Sequence, residues 1–259
     1  ALAAAAQNAV LEGDDATTDA ITVTTRLSNS TQIADKVARV SGTQQVVEKA
    51  GKRDELAYQI FKSTLELRRD CENDLLANNA EVGGNSSTAR QLGGIEAWLN
   101  SNVAGGNSHS AGSLGNTART DGANTSITEA KVKARLKSCF DAGGDPDCIM
   151  VGSFLKQEIS GFTGNATRVK TAEDRSLVAT VDVYASDFGD LEIIPNRFQV
   201  AESCLILEKR MWGVAYLRPV GITDLAKTGD SERRQVIVEY TLESRNEAAS
   251  GAQFDNSTS

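Results

Sequence analysis

Between residues 52 and 79 the chain carries the pattern that most restricts its fold. Leu56, Ile60, Leu67, Cys71 and Leu75 recur at spacings of four and seven, joined by Phe61, Leu65 and Leu76. That period gathers them on one side of an α-helix. Asp54 and Glu55 favour its N-terminal end, where the helix dipole is positive. The segment predicts one helix roughly 40 Å long at ~1.5 Å per residue. Such a rod needs an extended apolar surface to lie on, and the rest of the chain has to supply it.

That surface is read as β-structure. After a second helix over 128–142, with Thr128 as N-cap, a stripe of Val132, Leu136, Cys139 and Phe140, and a Gly143-Gly144 stop, strand patterns dominate. They fall at 148–151, 177–184, 191–194, 205–207, 214–217 and 235–242, with a short helix at 153–160. In the last strand Val236, Val238, Tyr240 and Leu242 share one face, and Ile237, Glu239 and Thr241 the other. Upstream, residues 21–27 and 31–40 flank Ser28-Asn29-Ser30, which predicts a long hairpin. A lone hairpin is marginal in water, so it should lie on another surface. Residues 1–20 read as an extended, acidic arm. The segment 100–126 is rich in Gly, Asn, Ser and Thr, so it reads as a loop that is either functional or mobile. The tail 248–259 is polar and expected to be exposed. The fold class is α+β with one dominant helix.

Chemistry is poorly represented. His109 is the sole histidine and sits in the Gly/Ser loop, so a Ser-His-Asp or Cys-His site would have to use it. It reads instead as an exposed loop histidine. Cys71, Cys139, Cys148 and Cys204 contain no CxxC pair, which gives no metal signal and points to four buried free thiols. Asp145 and Asp147 read as a solvated turn. Asp187-Phe188-Gly189 reads as a hairpin turn, since the other kinase motifs are missing. No nucleotide-binding glycine pattern appears, and no cofactor or metal is expected. Lys131, Lys133, Arg135 and Lys137 diverge around a helix and build no single stripe. A net charge of −8 argues against a dedicated nucleic-acid binder. No apolar run approaches a membrane span, and the alanine-rich opening lacks the charged start of a signal peptide.

Five blocks carry a resemblance: DPDCIMVGSFLKQEISGFTGNATR over 145–168, ASDFGDLEIIPNRF over 185–198, YLRP over 216–219, LAKTGD over 225–230 and VEYTLESRNEAA over 238–249. Together they resemble tailed-phage major capsid proteins of the Hong Kong 97 type fold. The resemblance implies an N-terminal arm at 1–20 and an extended loop at 21–46. It implies a peripheral domain with a spine helix at 47–127, an axial domain at 128–232, and a return to the peripheral domain and tail at 233–259. It further implies self-assembly into hexamers and pentamers of an icosahedral shell around double-stranded DNA. The chain would then be a virion capsid component assembled in the host bacterial cytoplasm, with portal, scaffold and decoration proteins as further partners. No match licenses a covalent crosslink.

Intersubunit contacts are expected at the hairpin tip, through Arg26, Asn29, Ser30 and Gln32. Others are expected from the acidic arm, through Glu12, Asp14 and Asp15. The alternatives are an encapsulin-like nanocompartment shell holding cargo protein and, more remotely, a hydrolase using His109.

Overall fold

The computed structural model describes residues 9–13, 15, 26–48, 51, 54–162 and 183–258. Asp14, most of the arm, residues 21–25 of the expected hairpin and residues 177–182 of one expected strand lie outside the described residues.

In chain order the elements are β1 (Gln32–Ser41), α1 (Gly42–Val46), α2 (Glu55–Leu76), α3 (Ile95–Trp98), β2 (Val103–Ala104), α4 (Glu129–Asp141), β3 (Cys148–Val151) and α5 (Ser153–Ser160). β4 (Val183–Ser186), β5 (Gly189–Pro195), β6 (Cys204–Leu207), β7 (Trp212–Asp224), β8 (Ser231–Ser244) and β9 (Gly251–Gln253) follow. They build two sheets, one ordered β1-β8-β7 and one ordered β2-β9-β6-β3-β5-β4.

The predicted rod is α2. Asp54 caps it by accepting from the Ala57 N–H at 3.2 Å, a bond that satisfies one of the helix's free N-terminal donors. The helix ends at Leu76 because Asn78 turns to clasp Arg119, donating to its carbonyl and accepting from its N–H, both at 2.9 Å. Leu56, Ile60 and Leu67 pack with Ala38 and Val40 of β1 and Val236, Val238 and Tyr240 of β8. Each such side chain contributes about 1.5–3 kcal/mol when fully buried.

The six-stranded sheet is covered on both faces, and the two-residue strand period divides it. Ile149, Val151, Cys204 and Ile206 face α4 and α5 through Val132, Leu136, Leu155 and Ile159. Cys148, Leu205 and Leu207 face the other way, onto Leu76, Ile95, Trp98, Leu242 and Phe254. This second core joins the sheets, because Leu76 ends α2 and Leu242 lies near the end of β8. α4 stops as predicted: Gly143 takes φ +82°, and Gly143 and Gly144 donate to the carbonyls of Phe140 and Cys139. An L side chain there would be strained, hence glycine.

Three expectations are corrected. Residues 28–30 make no turn. β1 instead runs antiparallel to β8, with Gln32 opposite Tyr240 and Ser41 opposite Ser231. The β-branched run was read correctly as strand, but its partner lies some two hundred residues away, beyond the reach of local turn chemistry.

The tail is not exposed. β9 inserts between β2 and β6, and Ala252, Phe254, Asp255 and Asn256 are fully buried. Polar composition misled here because those polar groups find partners inside: Asn256 Nδ2 donates to the carbonyls of Glu202 and Gln253, both at 2.8 Å.

The segment 100–126, left open between a docking loop and a mobile one, is folded onto the body. Ser110 and Thr120 exchange both backbone hydrogen bonds, and a Cβ on Gly106 would stand 1.7 Å from the Ala123 carbonyl. Small residues are required there by close backbone approach, which composition alone reads as looseness.

Candidate assembly surfaces

The histidine reading reverses with the loop. His109 is 9% exposed at its side chain, with Nδ1 3.2 Å from Asp255 Oδ2 and its ring 5.5 Å from that of Phe254. Neither imidazole nitrogen makes a hydrogen bond among the described residues. A hydrolytic triad needs one nitrogen on an acid and the other on a nucleophile, and that arrangement does not assemble.

Beside it lies a buried charge network that the sequence did not announce. Arg119 Nε donates to Glu96 Oε2 at 2.7 Å, Nη1 contacts Asp121 and also Asp255 Oδ1, the latter at 3.3 Å. The guanidinium lies over the Phe254 ring at 4.5 Å. Burial pushes the Glu96 carboxyl up, with Arg119 opposing that shift. Little in the local sequence marks Arg119, because apart from Asp121 two positions on, its carboxylate partners are 23 and 136 positions away.

All four cysteines are free thiols, and three of them are buried as expected. Cys139, Cys148 and Cys204 are buried and Cys71 is half-buried. Desolvation pushes the first three thiols up to about 12. Two of the four basic residues of α4 are paired locally: Lys133 with Glu129 at 2.9 Å and Lys137 with Asp141 at 3.0 Å. Arg135 donates to the Val103 carbonyl at 3.3 Å. Asp147 Oδ1 accepts from the Lys209 N–H at 3.0 Å, so it serves a backbone turn.

The residues expected at a hairpin tip are tied into this same chain. Asn29 Nδ2 donates to the carbonyls of Gly93 and Leu242, each at 3.1 Å, and Oδ1 accepts from Gly93 N at 2.8 Å. Ser30 donates to Glu81 at 2.6 Å, and Gln32 Nε2 to Asp74 at 2.7 Å. Arg26, Glu12 and Asp15 are exposed. Asp14 lies outside the described residues.

Part of the uncovered surface is apolar. Pairing across β7 and β8 places Val214 opposite Leu242, Tyr216 opposite Tyr240 and Ile222 opposite Val236. Opposed residues share a sheet face, so these three β7 residues stand on the α2 side. The helix does not reach them: Tyr216 is 59% and Ile222 56% exposed. Phe61 (62%) and Leu65 on α2 are also exposed, and with Ile222 they line one groove. On the sheet's opposite face Ile33 and Val37 of β1 are bare as well. Clustered exposed apolar side chains of this kind are candidates for protein contact.

A family model described as SU10 major capsid protein matches residues 1–256. The chain belongs to that family. This capsid protein is 27% identical over 284 residues to the major capsid protein of Escherichia phage Phieco32, covering 95% of this chain and 81% of that relative. Among solved structures, a cyanophage A-1(L) capsid asymmetric unit is 13% identical with a TM-score of 0.62, covering 87% of this chain and 77% of that one. The SrpI encapsulin of Synechococcus elongatus PCC 7942 is 12% identical with a TM-score of 0.53, covering 88% and 75%. Both likenesses are of fold. The capsid protein has the Hong Kong 97 type fold, and its role is that of a phage major capsid protein, a structural component of a multimeric shell.

Proposed function

We propose that this capsid protein forms hexamers and pentamers that close into an icosahedral shell around double-stranded DNA, assembling in the host bacterial cytoplasm. The observation that supports this most directly is the uncovered groove between β7 and α2, where Phe61, Leu65 and Ile222 stand beside Arg68, Glu232 and Arg234, in a chain whose family builds shells. Neighbouring copies bury that groove and the bare face of β1. Its burial stabilises contacts at ~25 cal/mol per Å² of apolar surface, less the ordering cost of any arm laid across it.

The acidic arm, through Glu12, Asp14 and Asp15, pairs with basic residues of an adjacent copy, and exposed Arg26 joins that contact. Asn29, Ser30 and Gln32, in the 21–46 loop, bond within their own subunit and present that loop to the neighbouring copy. Charge reversal at Asp14 and Asp15 that left particle yield and stability unchanged would remove the arm from the interface. Portal, scaffold and decoration proteins are the further partners of such a shell. The shell role assigns no catalytic work to His109.

Electron microscopy of particles from the expressed protein, with nuclease digestion and sequencing of their contents, tests the whole reading. Closed shells containing DNA support it. Shells filled with protein favour the second reading, a cargo compartment, which the fold likeness to an encapsulin brings in.

A further inference from the structure

Asp121, Glu202 and Asp255 come from three distant parts of the chain, yet each places a carboxylate oxygen within 4.8 Å of the other two. Asp121 is exposed, Glu202 half-buried and Asp255 fully buried, so the cluster runs from solvent into the interior and has an open side. Among the described residues Arg119 is the cation in direct contact with it, and its Nε is already bonded to Glu96. One guanidinium therefore serves Glu96, Asp121 and Asp255 together. Glu202 has no cationic partner among the described residues; its Oε1 accepts from Asn124 Nδ2 at 2.9 Å. The local charge balance is strongly negative in a place where part of it is desolvated, which favours positive charge.

A second observation is independent of the carboxylates. The His109 side chain is nine-tenths buried and points Nδ1 at Asp255 Oδ2 from 3.2 Å, with both ring nitrogens lacking hydrogen bonds among the described residues. Buried polar side chains are normally satisfied. The orphaned Nδ1 therefore faces the cluster with a bonding capacity that the described residues do not fill. Asp255 Oδ2 is further fixed by the Gly106 N–H at 2.9 Å.

We infer that Asp121, Glu202 and Asp255 bind a calcium-type divalent cation, with the Gly106 N–H positioning the Asp255 carboxylate and His109 facing the site. An all-oxygen donor set suits a hard cation, and oxygens that all lie within 4.8 Å of one another are close enough to share one ion at Ca²⁺–oxygen bonds of ~2.3–2.6 Å. Mg²⁺ demands shorter bonds and a stricter octahedron, which three irregular segments do not preorganise. The ion staples the 106–125 segment and the turn before β6 onto the C-terminal segment that carries β9. It binds the folded state alone, so it stabilises by mass action. This inference stands apart from the assembly reading and holds for a single subunit.

Titration calorimetry and thermal melts of the full chain, stripped with EDTA and then given CaCl2, MgCl2 or matched NaCl, test it. Saturable Ca²⁺ binding near one ion per chain is expected, with a Tm rise larger for Ca²⁺ than for Mg²⁺. Asp121→Asn and Glu202→Gln should each weaken Ca²⁺ binding at least tenfold. Glu202→Gln provides the same readout if the first variant folds poorly. Absence of binding heat and of any Tm rise, or a response that both variants retain, overturns the site.

Discussion

Arg119 and Glu96 form a buried ion pair, Nε to Oε2 at 2.7 Å, with side chains 1% and 0% exposed. Arg119 also bonds its own backbone to Asn78 beyond the end of α2. One residue therefore ties the close of the long helix to the C-terminal segment through Asp255. Removing one member of a buried pair leaves the other charge desolvated and unmatched, at a cost of about 3–5 kcal/mol. Arg119→Met should destabilise the subunit by that order in urea unfolding. Glu96→Gln should cost less, since the amide still offers Nε an acceptor and removes a charge that burial disfavours. Equal losses from the two variants would contradict this account.

Glu239 sits in the middle of β8, 4% exposed at its side chain. It accepts from Thr31 Oγ1 at 2.9 Å, Arg90 Nη2 at 2.7 Å and Arg218 Nε at 2.8 Å. The Thr31 hydrogen bond, followed by the Arg218 bond and charge, holds its carboxyl below the ordinary value of 4.5. A depressed folded-state value means the unfolded chain takes up the proton first. This contribution is therefore complete above pH 4.5 and is lost as pH falls through the lower folded value. Urea midpoints measured downward from pH 6 should decline below that point, and Glu239→Gln should flatten the decline.

The helix and most strands were legible because their signals are local. The period of Leu56, Ile60 and Leu67, the cap at Thr128 and the alternation of Val236, Val238, Tyr240 and Leu242 all survive in the structure. What failed was partner choice. Ser28-Asn29-Ser30 has turn composition, but Asn29 directs its amide to Gly93 and Leu242. Gly105, Gly106 and Gly112 look like loop filler, and they are small because neighbouring backbone and side chains press against them. Asp255 in a polar tail gave no hint of complete burial. Long-range pairings of this kind leave no mark within a sequence window. The exposed groove was half visible: Phe61 and Leu65 lie on the predicted helix, but their exposure depends on where β7 ends up.

Thiol accessibility checks the packing of the two sheets. Cys71 is half-buried and the other three cysteines are buried, with thiols at about 12 for Cys139, Cys148 and Cys204. Thiolates are the reactive form. In native protein near pH 8, a thiol reagent should label Cys71 first, with the remaining three reacting only on unfolding. Rapid labelling of all four in native buffer would mean that the sheet between α4 and α3 opens readily.

Phe61 and Ile222 separate assembly from folding. Both are more than half exposed in the subunit, so replacing them removes little core packing. Phe61→Asp and Ile222→Asp should leave the subunit's Tm within a few degrees of the parent while lowering particle yield at least tenfold by light scattering. A normal particle yield from the double variant would move the intersubunit contact elsewhere, to the β1 face carrying Ile33 and Val37.

Asn29, proposed as an intersubunit contact, also makes bonds within its own chain. Its side chain satisfies the Gly93 N–H and two carbonyls across the junction of β8 and the 92–94 segment. Asn29→Ala strips those partners of their bonds at a half-buried site, which costs about 1–3 kcal/mol. The loss should show in the melting of the unassembled subunit, before any shell contact exists. Shells that form from the variant should carry the same deficit per chain and no additional one. If the lone subunit melts unchanged and only particles weaken, Asn29 belongs to the intersubunit contact after all.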